Sequence, residues 1–367
     1  MPKNDKIFRK AIALDSLSAD ELLQVYKFAS TDELMFVANE LRQIHVAGNG
    51  VSWQIDRNVN ITNVCISGCK FCNFHCKLHE VEKSYTTTIS EYCAKIDELI
   101  KLNGDQLLLQ GGLHPKYGLS FYKNLFEELK KLYPNVKLHA LGPPEIAHIA
   151  QIEKKSYREI LESLIDSGLD SLPGAGAEIL CDRVRKQLSP TKPDTQMWLD
   201  VMREAHKLNL PTSATMVFGH IETLEERIEH LIKIRNLQNE KPKNTHGFLA
   251  FICWSMQLCG TKLGEILTNK TVSTDEYIRT IAISRIALNN IKNIQASWLT
   301  VGKNVAQIAL HSGANDMGSI MIEENVVSSA GATHKFDANG IKATISEAGF
   351  VPWLRNQKYE PREENNK

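Results

Sequence analysis

From about residue 57 onward, short apolar runs alternate with longer stretches in which apolar residues recur every three or four positions. Apolar runs of four to eight residues between turn formers predict strands, and the periodic stretches predict amphipathic helices. The strands expected are 59–64, 106–110, 137–141, 169–172, 212–218, 248–253, 294–298 and 319–323. Between them, helices are expected over 92–102, 121–132, 157–167, 196–208, 225–238 and 274–289. Strands that alternate with helices pair in parallel and are buried beneath them. Eight such units predict an α/β fold, a closed (βα)8 barrel of the TIM type.

Residues 7–48 carry helix signals alone. Ser18-Ala-Asp-Glu21 and Ser30-Thr-Asp-Glu33 are capping boxes, each followed by apolar residues at helical spacing. The organisation expected is an N-terminal helical cap (1–50), a barrel core (51–325) and a C-terminal helical extension (326–367) with a disordered tail after Glu360. Cap and extension are expected to plug the two ends of the barrel.

Turn formers follow the predicted strands. Gly111-Gly112-Leu-His114-Pro115 comes after the second, Gly142-Pro143-Pro144-Glu145 after the third, Pro173-Gly174-Ala-Gly176-Ala-Glu178 after the fourth and Gly219-His220-Ile-Glu222 after the fifth. In a barrel all four lie at the C-terminal mouth, where active sites are built. Glycine and proline mark ordinary turns as well, but polar residues at four consecutive strand ends favour a shared site.

Charge narrows the partners. The 43 basic and 43 acidic side chains cancel, which leaves no long-range attraction for nucleic acid or an anionic membrane, and neither is expected as a partner. No apolar run approaches the ~20 residues that span a bilayer, and the start of the chain has no signal-peptide apolar region. A cytoplasmic protein is therefore expected, and in a reducing compartment clustered cysteines read as metal-binding or catalytic rather than disulfide-bonded.

Four of the eight cysteines fall within twelve residues. Asn63-Val-Cys65-Ile-Ser-Gly-Cys69-Lys-Phe-Cys72 has the spacing C-x3-C-x2-C on a loop that leaves a strand. Three thiolates so close can wrap one compact ion or cluster. Structural zinc takes four ligands, whereas an iron–sulfur cluster short of one cysteine keeps an iron open for another ligand. Cys76 is the alternative fourth ligand, and it is read here as a neighbour that does not ligate. Cys93, Cys181, Cys253 and Cys259 stand apart and read as packing residues.

This cysteine pattern, with Phe71 before the last cysteine, resembles the signature of the radical S-adenosylmethionine (SAM) enzymes. Gln110-Gly-Gly-Leu-His-Pro115, His139-Ala-Leu-Gly-Pro-Pro-Glu-Ile146 and Ser171-Leu-Pro-Gly-Ala-Gly-Ala-Glu-Ile179 resemble a menaquinone-pathway group within it. That group holds the aminofutalosine synthases, the cyclic dehypoxanthinyl futalosine synthases and, further off, the deazaflavin (FO) synthases. Pro143-Pro144-Glu145, Gln295-Ala-Ser-Trp-Leu-Thr-Val-Gly302 and Gly318-Ser-Ile-Met-Ile-Glu-Glu-Asn-Val326 favour the cyclic dehypoxanthinyl futalosine synthases, with the other two as alternatives. The chain departs from the pattern at Gly142, Ala175, 73–77 and Cys259-Gly260.

The resemblance implies a [4Fe–4S] cluster on Cys65, Cys69 and Cys72, with SAM as co-substrate and a flavodoxin or ferredoxin as external one-electron donor. It implies a ring closure in dehypoxanthine futalosine. The 5′-deoxyadenosyl radical takes hydrogen from C4′ of the ribose, the sugar radical adds to the benzoate ring, and loss of an electron and a proton restores aromaticity. Phe71 is expected against the adenine of SAM, Gly111 and Gly112 along its methionine end, and Glu178 on its ribose hydroxyls. Glu145, His220, Asn315, Asp316, Glu323 and Glu324, at or near strand ends, are the candidates for substrate contacts and for the base that removes the last proton. Arg183 and Arg185 read as a solvated helix face.

Overall fold

The computed structural model describes residues 2–268 and 270–363. Its strands are β1 (Gly50–Gln54), β2 (Asp56–Asn60), β3 (Gln106–Gln110), β4 (Lys137–Ala140), β5 (Thr212–Phe218), β6 (Phe248–Ser255), β7 (Asn293–Gln295), β8 (Asp316–Ser319) and β9 (Val351–Leu354). Two parallel sheets, β5-β6-β7-β8-β1-β9 and β2-β3-β4, form one ring. β1 and β2 are halves of a single stave broken at Ile55. Single bridges from His139 to Ser171 and from Leu172 to Thr212 make residues 171–172 the fourth stave and close the gap between β4 and β5. The result is an eight-staved (βα)8 barrel of the TIM type, as the alternation of elements implies.

Side chains alternate along each stave. On the first, Val51, Trp53, Ile55 and Val59 are buried toward the helices, while Gln54, Asp56 and Asn58 face the lumen. On β3, Leu107 and Leu109 point outward and Gln106, Leu108 and Gln110 inward. A barrel of this size is ordinarily filled by branched apolar side chains. Here polar groups line one wall of an open lumen instead.

The helices match the sequence pattern to within a few residues, and both predicted capping boxes form: Ser18 accepts from the Glu21 N–H and Ser30 from that of Glu33. The N-terminal helices (Pro2–Ile12, Ala19–Phe28, Thr31–His45) do not plug an end of the barrel. They lie along its flank against helices Leu224–Glu240 and Thr274–Ala287. Tyr26 Oη meets Thr280 Oγ1 at 2.7 Å, and Arg279 Nη1 donates to Ala29 O at 3.0 Å.

The C-terminal segment differs from a helical extension. It contains a 3-10 turn (Ser328–Ala330), a helix (Ala338–Glu347) and β9, which pairs with β1 in register Gly50 to Val351. Residues 355–359 then cross under the barrel. Arg355 donates to Asp316 Oδ2 (2.7 Å) and Gln54 Oε1 (2.6 Å), and Gln357 donates to Ser171 Oγ. The chain beyond Glu360 is ordered as far as it is described: Arg362 N donates to Leu354 O, and Arg362 pairs with Asp105 at 3.1 Å. The remainder of the expected tail, 364–367, lies outside the described residues. No helix among the described residues is long and apolar enough to cross a membrane.

Candidate active site at the mouth of the barrel

The cysteine loop leaves the top of β2 and is tied down by two polar side chains. Thr62 Oγ1 donates to Tyr85 O at 2.6 Å, while Asn63 donates to Lys83 O at 2.8 Å and accepts from the Tyr85 N–H at 2.9 Å. Cys65 and Cys69 are buried and Cys72 is half-buried, all three as free thiols. Cys65 Sγ accepts N–H groups from Leu113 (3.3 Å) and Ser67 (3.4 Å). The Ser67 hydroxyl lies 3.0 Å from Cys65 Sγ and 3.4 Å from Cys69 Sγ. N–H donors aimed at sulfur are the usual surroundings of iron–sulfur ligands. Among the described residues no three histidine, cysteine or carboxylate side chains converge on a single metal ion. Three free thiols on one loop, two of them bridged by one hydroxyl, are a donor set that an iron–sulfur cluster can take.

Cys76 and Cys65 leave their backbone pairing on opposite faces. Residues 64 and 76 form a parallel bridge, so their side chains share a face, and Cys65 as the next residue points to the opposite one. Burial and the nearby Glu80 push the Cys76 thiol up, away from the thiolate a ligand needs.

Gly111 and Gly112 are held to glycine by their packing. A Cβ on Gly112 would lie 2.2 Å from Val64 O, and one on Gly111 3.0 Å from Thr62 N. The two glycines let the end of β3 pack beneath the cysteine loop, with Gly112 N donating to Thr62 O at 2.7 Å. Neither lines the lumen.

Beside the loop lies a buried charged group. Glu178, after the fourth stave, pairs with Lys192 at 2.7 Å, and the Lys192 ammonium stands 5.5 Å over the ring of Phe71. Burial alone would lower the Lys192 ammonium, but the Cys69 sulfur and the Glu178 carboxylate outweigh it and hold the charge. Burial likewise opposes ionisation of Glu178, and Lys192 overcomes it and keeps the carboxyl low. Arg185, expected on a solvated face, is buried and shapes this turn by donating to the carbonyls of Gly176 (2.9 Å), Ala177 (2.6 Å) and Pro193 (2.9 Å). Arg183 pairs with Glu226. Glu145, in the first turn of helix Pro143–Glu153, is buried behind the wall, and burial pushes its carboxyl up to about 7.

The lumen is a cavity of about 350 Å3 that runs from this mouth to the 355–359 crossing. Of the candidates read from sequence, Phe71, Glu178 and Glu324 line it. The carboxylate of Glu324 accepts N–H groups of Val326, Val327 and Ser328, forming the turn that covers the mouth. The other four are engaged elsewhere. His220 uses its ring nitrogens on Val217 O (2.8 Å) and the Ile221 N–H (2.8 Å). Asn315 accepts from Arg285 at 2.7 Å and from the Ile294 N–H at 2.9 Å. Asp316 holds Arg355, and Glu323 points outward to Arg57 and Lys95.

Sequence reasoning missed Lys192 and the polar lumen wall: Gln54, Asp56, Asn58, Gln106, His139 and Arg355. The signal was present on the first stave, where Val51-Ser-Trp-Gln-Ile-Asp56 alternates apolar with polar residues. Lys192 lies in a loop with no pattern to mark it.

Two family models cover most of the chain: the radical SAM superfamily over residues 59–234, and the CofH/MqnC C-terminal region over 245–367. The chain is 41% identical over 357 residues to the cyclic dehypoxanthine futalosine synthase of Streptomyces coelicolor, covering 96% of this chain and 88% of that protein. It is 40% identical over 333 residues to 5-amino-6-(D-ribitylamino)uracil–L-tyrosine 4-hydroxyphenyl transferase 2 of Methanosarcina mazei, covering 89% and 84%. Among solved structures, methylornithine synthase superposes with a TM-score of 0.71 at 16% identity over 95% of this chain and 97% of that one, a likeness of fold.

Proposed function

The chain belongs to the radical SAM superfamily, in the group that includes the cyclic dehypoxanthine futalosine synthases, and we propose that it carries out their reaction in the futalosine route to menaquinone. Its substrate on this reading is dehypoxanthine futalosine and its product cyclic dehypoxanthinyl futalosine. The observation that carries the reading is the 41% identity over nearly the whole length of both chains, with the three-cysteine loop at the mouth of a polar lumen.

A [4Fe–4S] cluster with SAM, when bound, supplies a 5′-deoxyadenosyl radical able to take the C4′ hydrogen of the substrate ribose. The sugar radical would add to the benzoate ring, and aromaticity would return when a proton passes to a base and the electron passes back to the oxidised form of the external one-electron donor. Cys65, Cys69 and Cys72 would hold the cluster, and a flavodoxin or ferredoxin would be its external one-electron donor. Phe71 would pack against the adenine of SAM, and Glu178, kept ionised by Lys192, would accept from its ribose hydroxyls. Met256, Met321, Val326, Val327 and Ala330 line the upper lumen and keep water from the radical.

The test is anaerobic reconstitution of the cluster followed by SAM, a reductant and dehypoxanthine futalosine. The expected outcome is substrate-dependent 5′-deoxyadenosine and a product two hydrogens lighter than the substrate; no substrate dependence refutes the reading. The 40% identity to the Methanosarcina mazei transferase supports a second reading, in which 5-amino-6-(D-ribitylamino)uracil and L-tyrosine are the substrates. The same assay with that pair separates the two.

A further inference from the structure

The outer face of the cysteine loop carries exposed apolar side chains. Cys65 and Cys69 are buried, yet Ile66 between them is 45% exposed, so on this side the depth of one loop separates the thiols from solvent. On its other side the loop borders the lumen through Phe71. Ile66 and Leu78 each lie two residues beyond the Val64–Cys76 bridge, and on the same segment as Leu78 stands Val81. Leu78 is 44% and Val81 75% exposed. Large apolar side chains grouped on a surface mark a contact area.

Four lysines stand on the segments that frame this face. A Cβ on Gly68 would lie 3.8 Å from Lys77 Nζ, which sets that ammonium beside the turn between the first two cysteines. Lys70 N donates to Leu188 O and Lys70 O accepts from the Leu263 N–H, both at 2.9 Å, and Lys262 precedes that donor. Lys116 belongs to the strand-end turn whose Leu113 O accepts from the Ile66 N–H at 3.1 Å. Among the described residues none of the four forms an ion pair. Of the carboxylates on these segments, Glu80 is taken up by Lys83 and the Lys77 N–H, which leaves Glu82 and Glu265. On a chain with no net charge this basic excess is local, and a local excess steers a partner of opposite sign.

We propose that this face is the docking surface for the external one-electron donor, and that the donor is an acidic carrier protein. The proposal rests on the functional reading above, which puts a reducible cluster on Cys65, Cys69 and Cys72. The lumen side of the loop is given over to SAM and substrate on that reading, so the electron enters from the outer side. The docked carrier is oxidised by one electron as the cluster is reduced by one. The electron released when aromaticity returns passes back to the oxidised carrier over the same contact. A carrier that docks and leaves needs only a small interface, and electron-transfer encounters bury less than about 1,200 Å2. Charges around such a contact act mainly on the rate of encounter.

The test uses the cluster-loaded protein under anaerobic conditions, with reduced flavodoxin and reduced ferredoxin as separate probes. One of the two is expected to reduce the cluster, followed by stopped-flow absorbance, at a rate that falls about ten-fold between low salt and about 0.5 M salt. Lys77→Glu/Lys116→Glu is expected to bind that carrier about ten-fold more weakly and to accept its electron about ten-fold more slowly at low salt. Its iron content should match wild type, as should its reduction by photoreduced 5-deazariboflavin, a small reductant that needs no docking surface. Lys116→Glu/Lys262→Glu gives the same comparison if the first variant does not fold. Rates insensitive to salt with both carriers overturn the proposal, as do folded variants that bind and accept electrons like wild type. Equal affinity for ovalbumin, an acidic protein without a redox centre, overturns it too. So does a wild-type dimer in sedimentation that the variants lose, since the face then seats a second copy. A wild type that takes up no iron refutes the functional reading itself, and iron analysis shows this before any carrier is added.

Discussion

Asn73, the residue after the last cysteine of the loop, donates through its side-chain amide to the carbonyl oxygen of Cys259 at 3.2 Å. The same amide donates to Ser329 O at 3.1 Å, and Cys259 packs against Gly331. Residues 73–77 and 259–260 are two of the places where the chain departs from the pattern of the group it resembles, and they meet at a latch joining the cysteine loop, the loop after β6 and the turn over the mouth. Two departures in contact read as one compensated change. Asn73→Ala is expected to loosen that cover. The ratio of 5′-deoxyadenosine formed to product formed should rise a few-fold, in keeping with about 1 kcal/mol for the lost bonds. An unchanged ratio, measured by chromatography of both products, would show the latch to be idle.

Glu145 gives a pH signature. Burial holds its carboxyl near 7, above the ordinary 4.5, so the folded protein keeps a proton that the unfolded chain releases. Stability from this group is fully present below about pH 4.5 and is lost as pH rises toward 7, by up to about 1.4 kcal/mol per unit in that window. In Glu145→Gln the loss is absent. Melting temperatures of wild type and variant between pH 4.5 and 8 should diverge over that interval and run parallel above it.

Cysteine 76 and glycine 112 make opposite predictions. Cys76→Ala removes a thiol that faces away from Cys65 and should leave iron content and turnover near wild type, whereas Cys72→Ala should abolish both. Gly112→Ala drives a methyl group into Val64 O and should lower stability by about 1–3 kcal/mol. Because the collision displaces the cysteine loop, iron bound per chain should fall with it. Iron analysis beside thermal melting distinguishes the three variants.

Arg355 and Asp316 form a buried pair at 2.7 Å, 6% and 0% exposed at their side chains. Arg355→Met leaves Asp316 charged and without its partner, and is expected to cost about 3–5 kcal/mol. The double variant Arg355→Met/Asp316→Asn should recover part of that loss in a denaturant titration. If the single and double variants melt alike, the pair is not a unit.

The barrel was legible because its helices and outward-facing strand residues repeat at fixed periods, and the cysteine loop because three ligands share one short segment. The roles of His220, Asn315, Asp316 and Glu323 were not legible. Position at a strand end brings a residue to the mouth region, but the direction of its side chain depends on partners far along the chain. Asp316 is claimed by Arg355, and Glu323 by Arg57, 266 residues earlier. The first stave was placed too late for a related reason. Its alternation of Val, Trp and Ile with Ser, Gln and Asp resembles a strand with one face in water, and only closure of the ring reveals that this face borders an enclosed lumen.

The stopper under the barrel has a bearing on the order of assembly. Gln54 and Arg355 touch across 301 residues, so the first stave formed during synthesis waits for one of the last segments to seal it. Contacts so distant in sequence are slow to form, because the loop-closure entropy precedes any gain from the contact. Until 355–359 has emerged, the ring is a tube open at its lower end, and radical chemistry within it would have no dry chamber. Assembly of a sealed lumen thus follows synthesis of nearly the whole chain.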